Sequence, residues 1–227
     1  MRINQFIASC GVASRRASET LVKQGRIAIN GKRIDNLATV VSDTDTVTLD
    51  GKPVAKTPHH VYIKLNKPRG IITSARDEKG RKTVLDLISL PKKYQNIRLF
   101  PVGRLDYDTE GLVILTNDGD FAYQITHPKS SIEKTYHAKL NKTLDKNLLV
   151  TLRQGVIIDN QKTLPAQAKF LSPDLVELTI IEGRNRQVRK MFETLGYTVT
   201  HLRRTRVGKW NLGDLPLGKW KFFEPQD

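Results

Sequence analysis

At 227 residues the chain has room for one large domain and a small one. It carries 38 Lys and Arg against 23 Asp and Glu, a formal charge of +15, and a balance this basic points to a polyanionic partner, nucleic acid first. A single cysteine, Cys10, excludes a disulfide framework and a cysteine-rich zinc site, and with no membrane-length apolar run, signal-peptide core, GxGxxG, Walker or HExxH motif, a cytoplasmic protein with no membrane association and no cofactor is expected.

The elements follow in chain order. Ile3, Phe6 and Ile7 recur at helical spacing, and Gly11 is a natural stop. Ser14 can cap a second helix to about Gln24, with Ala17 and Leu21 on one face and Gly25 ending it. Arg26 to Arg33 reads as a strand, an Asn30-Gly31 turn of the strongest hairpin type, and a basic return; Thr46 to Leu49 is a further strand. Arg15, Arg16, Arg26, Lys32 and Arg33 are then available for phosphate, although most helix charge clusters are simply solvated faces. Residues 51–60, with Pro53 and Pro58 and no periodicity, read as a linker between a domain at 1–50 and another at 61–227. β-rich runs follow at 61–65, 70–73, 98–102, 112–116, 133–140, 168–171, 175–181 and 197–202. Helical patterns interrupt them near 82–89, 118–125, 144–153 and 185–195. Without strict βα alternation, this predicts an α+β fold with a mixed, largely antiparallel sheet flanked by helices.

Three segments bear on chemistry. Gly103-Arg104-Leu105-Asp106-Tyr107-Asp108-Thr109-Glu110-Gly111 sets Asp106 in a Gly-bounded turn between two strand-like runs, where rigid neighbours can present it to a cleft. A carboxylate ionised at pH 7 is a ready nucleophile. The commoner role of an Asp in a turn is to bond its own backbone. Calcium fits positions 1, 3, 5 and 6 of its loop but fails at Ile114 and Asn117; a carboxylate-held magnesium site has only acidic density behind it. In Glu133 to Leu140, Lys134, Tyr136, Ala138 and Leu140 share a face. Tyr136 there either packs in the sheet or offers a ring and a polar tip to a cleft. In Glu182 to Leu195, Val188, Met191, Phe192 and Leu195 form an apolar stripe, and Arg184, Arg186, Arg189 and Lys190 crowd the first turns. Positive charge opposes the macrodipole there, so phosphate or a buried carboxylate is the natural reason for it.

The motifs resemble known families. Ser-Arg-Arg opening a helix, then Gly-Arg-Ile-Ala-Ile-Asn-Gly-Lys, is similar to the S4-type RNA-binding domain. Leu65-Asn66-Lys67-Pro68-Arg69-Gly70, the Gly-Arg-Leu-Asp block, the Glu-Lys-Thr-Tyr strand and the Gln-Val-Arg-Lys-Met helix resemble the RNA pseudouridine synthases that act on bacterial ribosomal RNA and carry an N-terminal S4 domain. The resemblance implies isomerisation of uridine to pseudouridine, without cofactor or metal, in rRNA and more specifically large-subunit rRNA, by a monomer. It implies Asp106 as the essential carboxylate on a flipped-out uridine and Tyr136 stacking on the uracil. It also implies Arg189 paired with Asp106, and Arg104 on the RNA backbone or in the space the nucleotide leaves. Arg184, Arg186 and Lys190 are further expected RNA contacts. The rivals are an RNA-binding assembly factor and a metal-dependent RNA hydrolase.

Overall fold

The structure, a computed structural model, describes residues 1–57 and 59–226. Pro58, inside the expected linker, and Asp227, the last residue of the expected second domain, lie outside the described residues. The chain divides into two compact units: Met1–Val61 with Leu90–Leu99 and Asn117–Gly119, and the remainder from Tyr62 onward.

In the front unit, α1 (Ile3–Ser9) and α2 (Arg15–Lys23) precede a four-stranded sheet of β1 (Ile27–Ile29), β2 (Lys32–Arg33), β3 (Val47–Leu49) and β4 (Lys52–Pro53), in the order β2-β1-β3-β4. Ser14 caps α2 as expected, its Oγ accepting from the Ala17 N–H at 3.1 Å. The buried face of α2 lies one residue on from the expected one. Ser18 and Val22 are buried and Ala17 is exposed, because Val22 joins Ile3, Ile7, Ile27 and Val47 in the core. Asn30 and Gly31 both have positive φ (51° and 79°), the requirement of a type I′ turn. Asp50 and Gly51 repeat it (49° and 78°), so Lys52 and Pro53, expected in the linker, return as β4 against Thr48 and Leu49.

The second unit is built on one nine-stranded sheet, order β11-β12-β8-β13-β7-β5-β15, with β14 on β13 and β6 on β7. The strands are β5 (Tyr62–Lys67), β6 (Phe100–Val102), β7 (Glu110–Thr116), β8 (Lys134–Leu140), β9 (Ile157–Ile158), β10 (Gln161–Lys162), β11 (Gln167–Ser172), β12 (Leu175–Ile180), β13 (Val199–Val207), β14 (Trp210–Asn211) and β15 (Trp220–Phe222), of which β9 and β10 form a separate hairpin. Every pairing in the sheet is antiparallel except β13 with β7, so the fold is the mixed, largely antiparallel α+β arrangement expected. The helices are α3 (Gly119–Thr126), α4 (Leu148–Gln154) and α5 (Gln187–Thr194). Phe121 and Ile125 of α3 pack with Leu112 and Ile114. Val188, Met191 and Phe192 of α5 pack with Ala138, Leu178 and Leu202.

Some segments differ from expectation. Residues 70–73 form no strand; Ile72 makes a single bridge to Thr83, and the helix near 82–89 is a 3₁₀ turn, Val84–Leu87. Residues 70–73 bond to the turn that carries Asp106, and residues 82–84 bond to Ile72, so local hydrogen bonds take the place of a ladder. β13 runs five residues beyond the expected end, because its Arg204 and Arg206 are accommodated by bonds to main chain and to Glu133. No helix of the described residues is long and apolar enough to cross a membrane.

Candidate active site

Strand register assembles the site. Tyr136 of β8 lies opposite Arg204 of β13, Arg204 opposite Gly111 of β7, and Gly111 opposite Lys67 of β5. Paired residues point to one face, so Lys67, Arg204 and Tyr136 form a row with a glycine gap between the first two. Gly111 is obligatory: a Cβ there would stand 2.2 Å from the Arg204 carbonyl oxygen, and its φ is +108°. β7 and β13 can approach this closely only over a glycine.

The turn between β6 and β7 is anchored to this row. The Arg204 guanidinium, on a residue 4% exposed, donates Nε–H to the Leu112 carbonyl at 2.8 Å and Nη1–H to the Arg104 carbonyl at 3.3 Å. It thereby ties together the two limbs of the turn. Asp106 is half-buried at the bend, where its carbonyl accepts from the Thr109 N–H at 3.1 Å.

Two carboxylates two residues apart have opposite surroundings. Arg186 sets Nη1 and Nη2 on the two oxygens of Asp108, each at 3.2 Å, a fork that suits a planar guanidinium. Arg189 Nη2 reaches Asp108 Oδ2 at 3.2 Å and the Asp108 carbonyl at 3.1 Å, while its Nη1 donates to the Val199 carbonyl at 2.8 Å. Burial works to raise the Asp108 carboxyl, and the Arg186 hydrogen bonds with the Arg189 charge outweigh it, holding it below the usual carboxylate range. The Asp106 carboxylate makes no hydrogen bond or ion pair among the described residues. It still acts through space on Lys67, Arg186 and Arg189. Lys67 has no exposed surface, and its Nζ donates to the Pro68 carbonyl at 2.9 Å. Burial pushes its ammonium down to about 8, against the pull of Asp108, Asp106 and Glu110.

A partner-free carboxylate thus stands in a turn tied to Arg204, within the field of buried Lys67 and Arg189 and exposed Arg186, and comparison with known proteins decides the family. Residues 61–194 match the RNA pseudouridylate synthase family and residues 1–47 the S4 domain. The chain belongs to the RNA pseudouridylate synthases. It is 44% identical to the ribosomal large subunit pseudouridine synthase B of Bacillus subtilis over all of this chain and 93% of that one. It is 34% identical to the dual-specificity RNA pseudouridine synthase RluF of Escherichia coli, over 97% of this chain and 74% of that one. A crystal structure of a pseudouridylate synthase superposes with a TM-score of 0.72 at 30% identity, covering 100% of this chain and 97% of the other.

In this synthase the expected site residues fare unequally. Asp106 and Arg189 are brought into one site, but the expected ion pair between them is not what forms. Arg189 pairs with Asp108, because its guanidinium spans the Asp108 carboxylate, the Asp108 carbonyl and Val199 at once. Tyr136 is half-buried against the α5 core and reaches the site through its neighbour Arg204. Arg104 is exposed beside Asp106. Of the two reasons expected for the cations of the α5 entry, phosphate or a buried carboxylate, the structure shows carboxylate partners, and these are partly exposed. Lys190 takes both oxygens of Asp159 at 2.9 and 2.6 Å, and Arg184 joins Glu182 to the carbonyls of Gln161 and Lys162. In the front unit Arg26 forks onto Asp50, and Arg33 donates to the Gln24 carbonyl at 2.9 Å. The side chains of Arg15, Arg16 and Lys32 are exposed and make no hydrogen bond or ion pair among the described residues. Among those residues no group of three or more His, Cys, Asp or Glu is placed to hold a metal. Sequence reasoning assigned no role to Lys67, although it lies in the Asn-Lys-Pro-Arg-Gly motif, and overlooked Arg204, which reads as one more cation in Arg203-Arg204-Thr205-Arg206.

Proposed function

We propose that this synthase isomerises a specific uridine of ribosomal RNA, in the large subunit, with Asp106 as the essential carboxylate acting on a flipped-out nucleotide. The observation that carries this reading is the contrast inside the turn: Asp108 is committed to two arginines, and Asp106 is left free beside the same cations. In the reaction the N1–C1′ bond breaks, the uracil turns, and C5 bonds to C1′. The free carboxylate serves either route to that end, addition at C1′ or abstraction of a proton to give a glycal-like intermediate. A base stacked in a helix exposes neither C1′ nor its faces, so extrusion is needed. Exposed Arg104 stands beside Asp106 to meet the displaced backbone, and Tyr136 lies on the same sheet face to stack on the uracil and assist loss of the C5 proton. Arg189 keeps the site ionised and ordered through Asp108. The front S4-type module contributes structure-reading affinity through Arg15, Arg16 and Lys32. With the α5 cations Arg184, Arg186 and Lys190 held internally, their part is to shape the site rather than to release counterions. The 44% identity to a large-subunit synthase favours that subunit, and the setting is a cytoplasmic monomer.

Asp106→Asn is expected to abolish pseudouridine formation while RNA affinity stays within a few-fold. Carbodiimide-adduct mapping of rRNA from cells with and without the protein reads both the product and its position. Full turnover by Asp106→Asn would overturn the assignment of the carboxylate.

A further inference from the structure

The segment after β5 touches the main chain on both sides of Asp106. Thr73 is 5% exposed, and its hydroxyl donates to the Leu105 carbonyl at 2.8 Å and accepts from the Leu105 N–H at 3.2 Å. One hydroxyl, with one proton and two lone pairs, thus serves both polar groups of a single buried peptide residue. On the other side, the Gly70 N–H donates to the Tyr107 carbonyl at 2.8 Å, with Gly70 at φ +78°. The residues immediately before and after Asp106 are therefore both bonded to one stretch, Gly70 to Thr73. That stretch is itself anchored. Ile72 donates to the Lys82 carbonyl at 3.0 Å and accepts from the Val84 N–H at 2.9 Å. The 3₁₀ turn that follows is closed by a capping box between Thr83 and Asp86.

We infer that Thr73 is a positioning residue of this synthase: through the Leu105 main chain it sets where the Asp106 carboxylate stands, without touching substrate. The inference rests on the role proposed for Asp106. Asp106 has no hydrogen-bonded side-chain partner among the described residues, so the backbone, which sets the direction of its Cα–Cβ bond, carries much of its placement. Leu105 is 7% exposed and its bonds to Thr73 are buried, so loss of the hydroxyl removes the partner of both groups and favours a shifted turn. Displacement of a reacting group by about an ångström costs on the order of a hundredfold in rate. The segment is thereby a clasp on the catalytic turn, which gives the Pro-Arg-Gly-Ile-Ile-Thr run a function that its lack of strand pairing otherwise leaves open.

The test compares Thr73→Val, which keeps the shape and loses both hydrogen bonds, with Thr73→Ser, which keeps both. Wild type and Asp106→Asn are measured in the same assay on an rRNA fragment, well below each variant's unfolding temperature. Thr73→Val is expected to lower kcat by about a hundredfold with KM and RNA affinity within threefold, and Thr73→Ser to stay within threefold of wild type in both. A Thr73→Val enzyme with wild-type kcat overturns the inference. So does a loss carried by KM, or one that Thr73→Ser shares equally, since either marks a packing role. If Thr73→Val does not fold, Thr73→Ala replaces it, with no side-chain donor or acceptor; a wild-type kcat there overturns the inference too. A wild-type enzyme that forms no pseudouridine overturns the proposed function instead, so the two failures are distinct.

Discussion

Lys67 is fully buried, and its ammonium stands among Asp106, Asp108 and Glu110 with Arg204 opposing it. Burial is the larger influence, so the group falls from an ordinary 10.5 to about 8. A lysine depressed in the folded state binds fewer protons there than in the unfolded chain between those two values. Stability therefore rises with pH across that window, and below about 8 the full cost of the buried charge is present. Relative to Lys67→Met, wild type should gain roughly 3 kcal/mol of unfolding free energy between pH 8 and 10.5, read by urea denaturation at a series of pH values; a flat difference would place the ammonium in water. This residue stood inside a motif whose spacing was plain, yet its burial could not be read there, because it depends on strands β5, β7 and β13 closing over it. The same holds for Arg189. Its need for a carboxylate was legible from its place at a helix start, but the choice of Asp108 over Asp106 is a matter of a few ångströms.

Among the elements, β7 and β13 are the pair on which the site depends, since their parallel contact at Gly111 and Arg204 brings the turn over the row of cations. Gly111→Ala would drive a methyl group into the Arg204 main chain at a φ that disfavours L side chains. The expected cost is about 3 kcal/mol from overpacking and backbone strain together, seen as a lower unfolding temperature with pseudouridine formation lost alongside; an unchanged transition would show that the strands can part without consequence. The hairpin at Asn30-Gly31 was legible, and the structure adds two that were not read. Asn30-Gly31, Asp50-Gly51 and Asp159-Asn160 all adopt paired positive φ values; Asp50-Gly51 carried the same local signal as the first, while Asp159-Asn160 lacks the glycine. The 3₁₀ turn and the unpaired 70–73 run were not legible. Their apolar residues fit a strand or a helix equally well, and only the bonds they make to other segments decide.

For the molecule as a whole, the charge of +15 divides into cations that are held internally and cations open to a partner. Arg26, Arg33, Arg184, Arg186, Arg189 and Lys190 belong to the first class. Arg15, Arg16 and Lys32 belong to the second. Replacing those three with alanine is expected to weaken binding to structured rRNA and to reduce the slope of log K against log salt by about 2 to 3. The same change at Arg184 and Lys190 should leave the slope nearly unchanged; equal effects would contradict the division. Sequence alone pointed to a polyanionic partner, to the mixed, largely antiparallel sheet and to the resemblance in its four motifs, and it singled out the aspartate proposed to carry the chemistry. The first two rest on residue type and on spacings within one element, for which local physics suffices; the part given to Asp106 rests on the resemblance. Tertiary structure decided which aspartate the arginines neutralise, which cations remain open, and which segment is bonded to the turn that carries Asp106. Each of those depends on groups far apart in the chain meeting at hydrogen-bond distance, and that distance is set by strand register rather than by any local pattern.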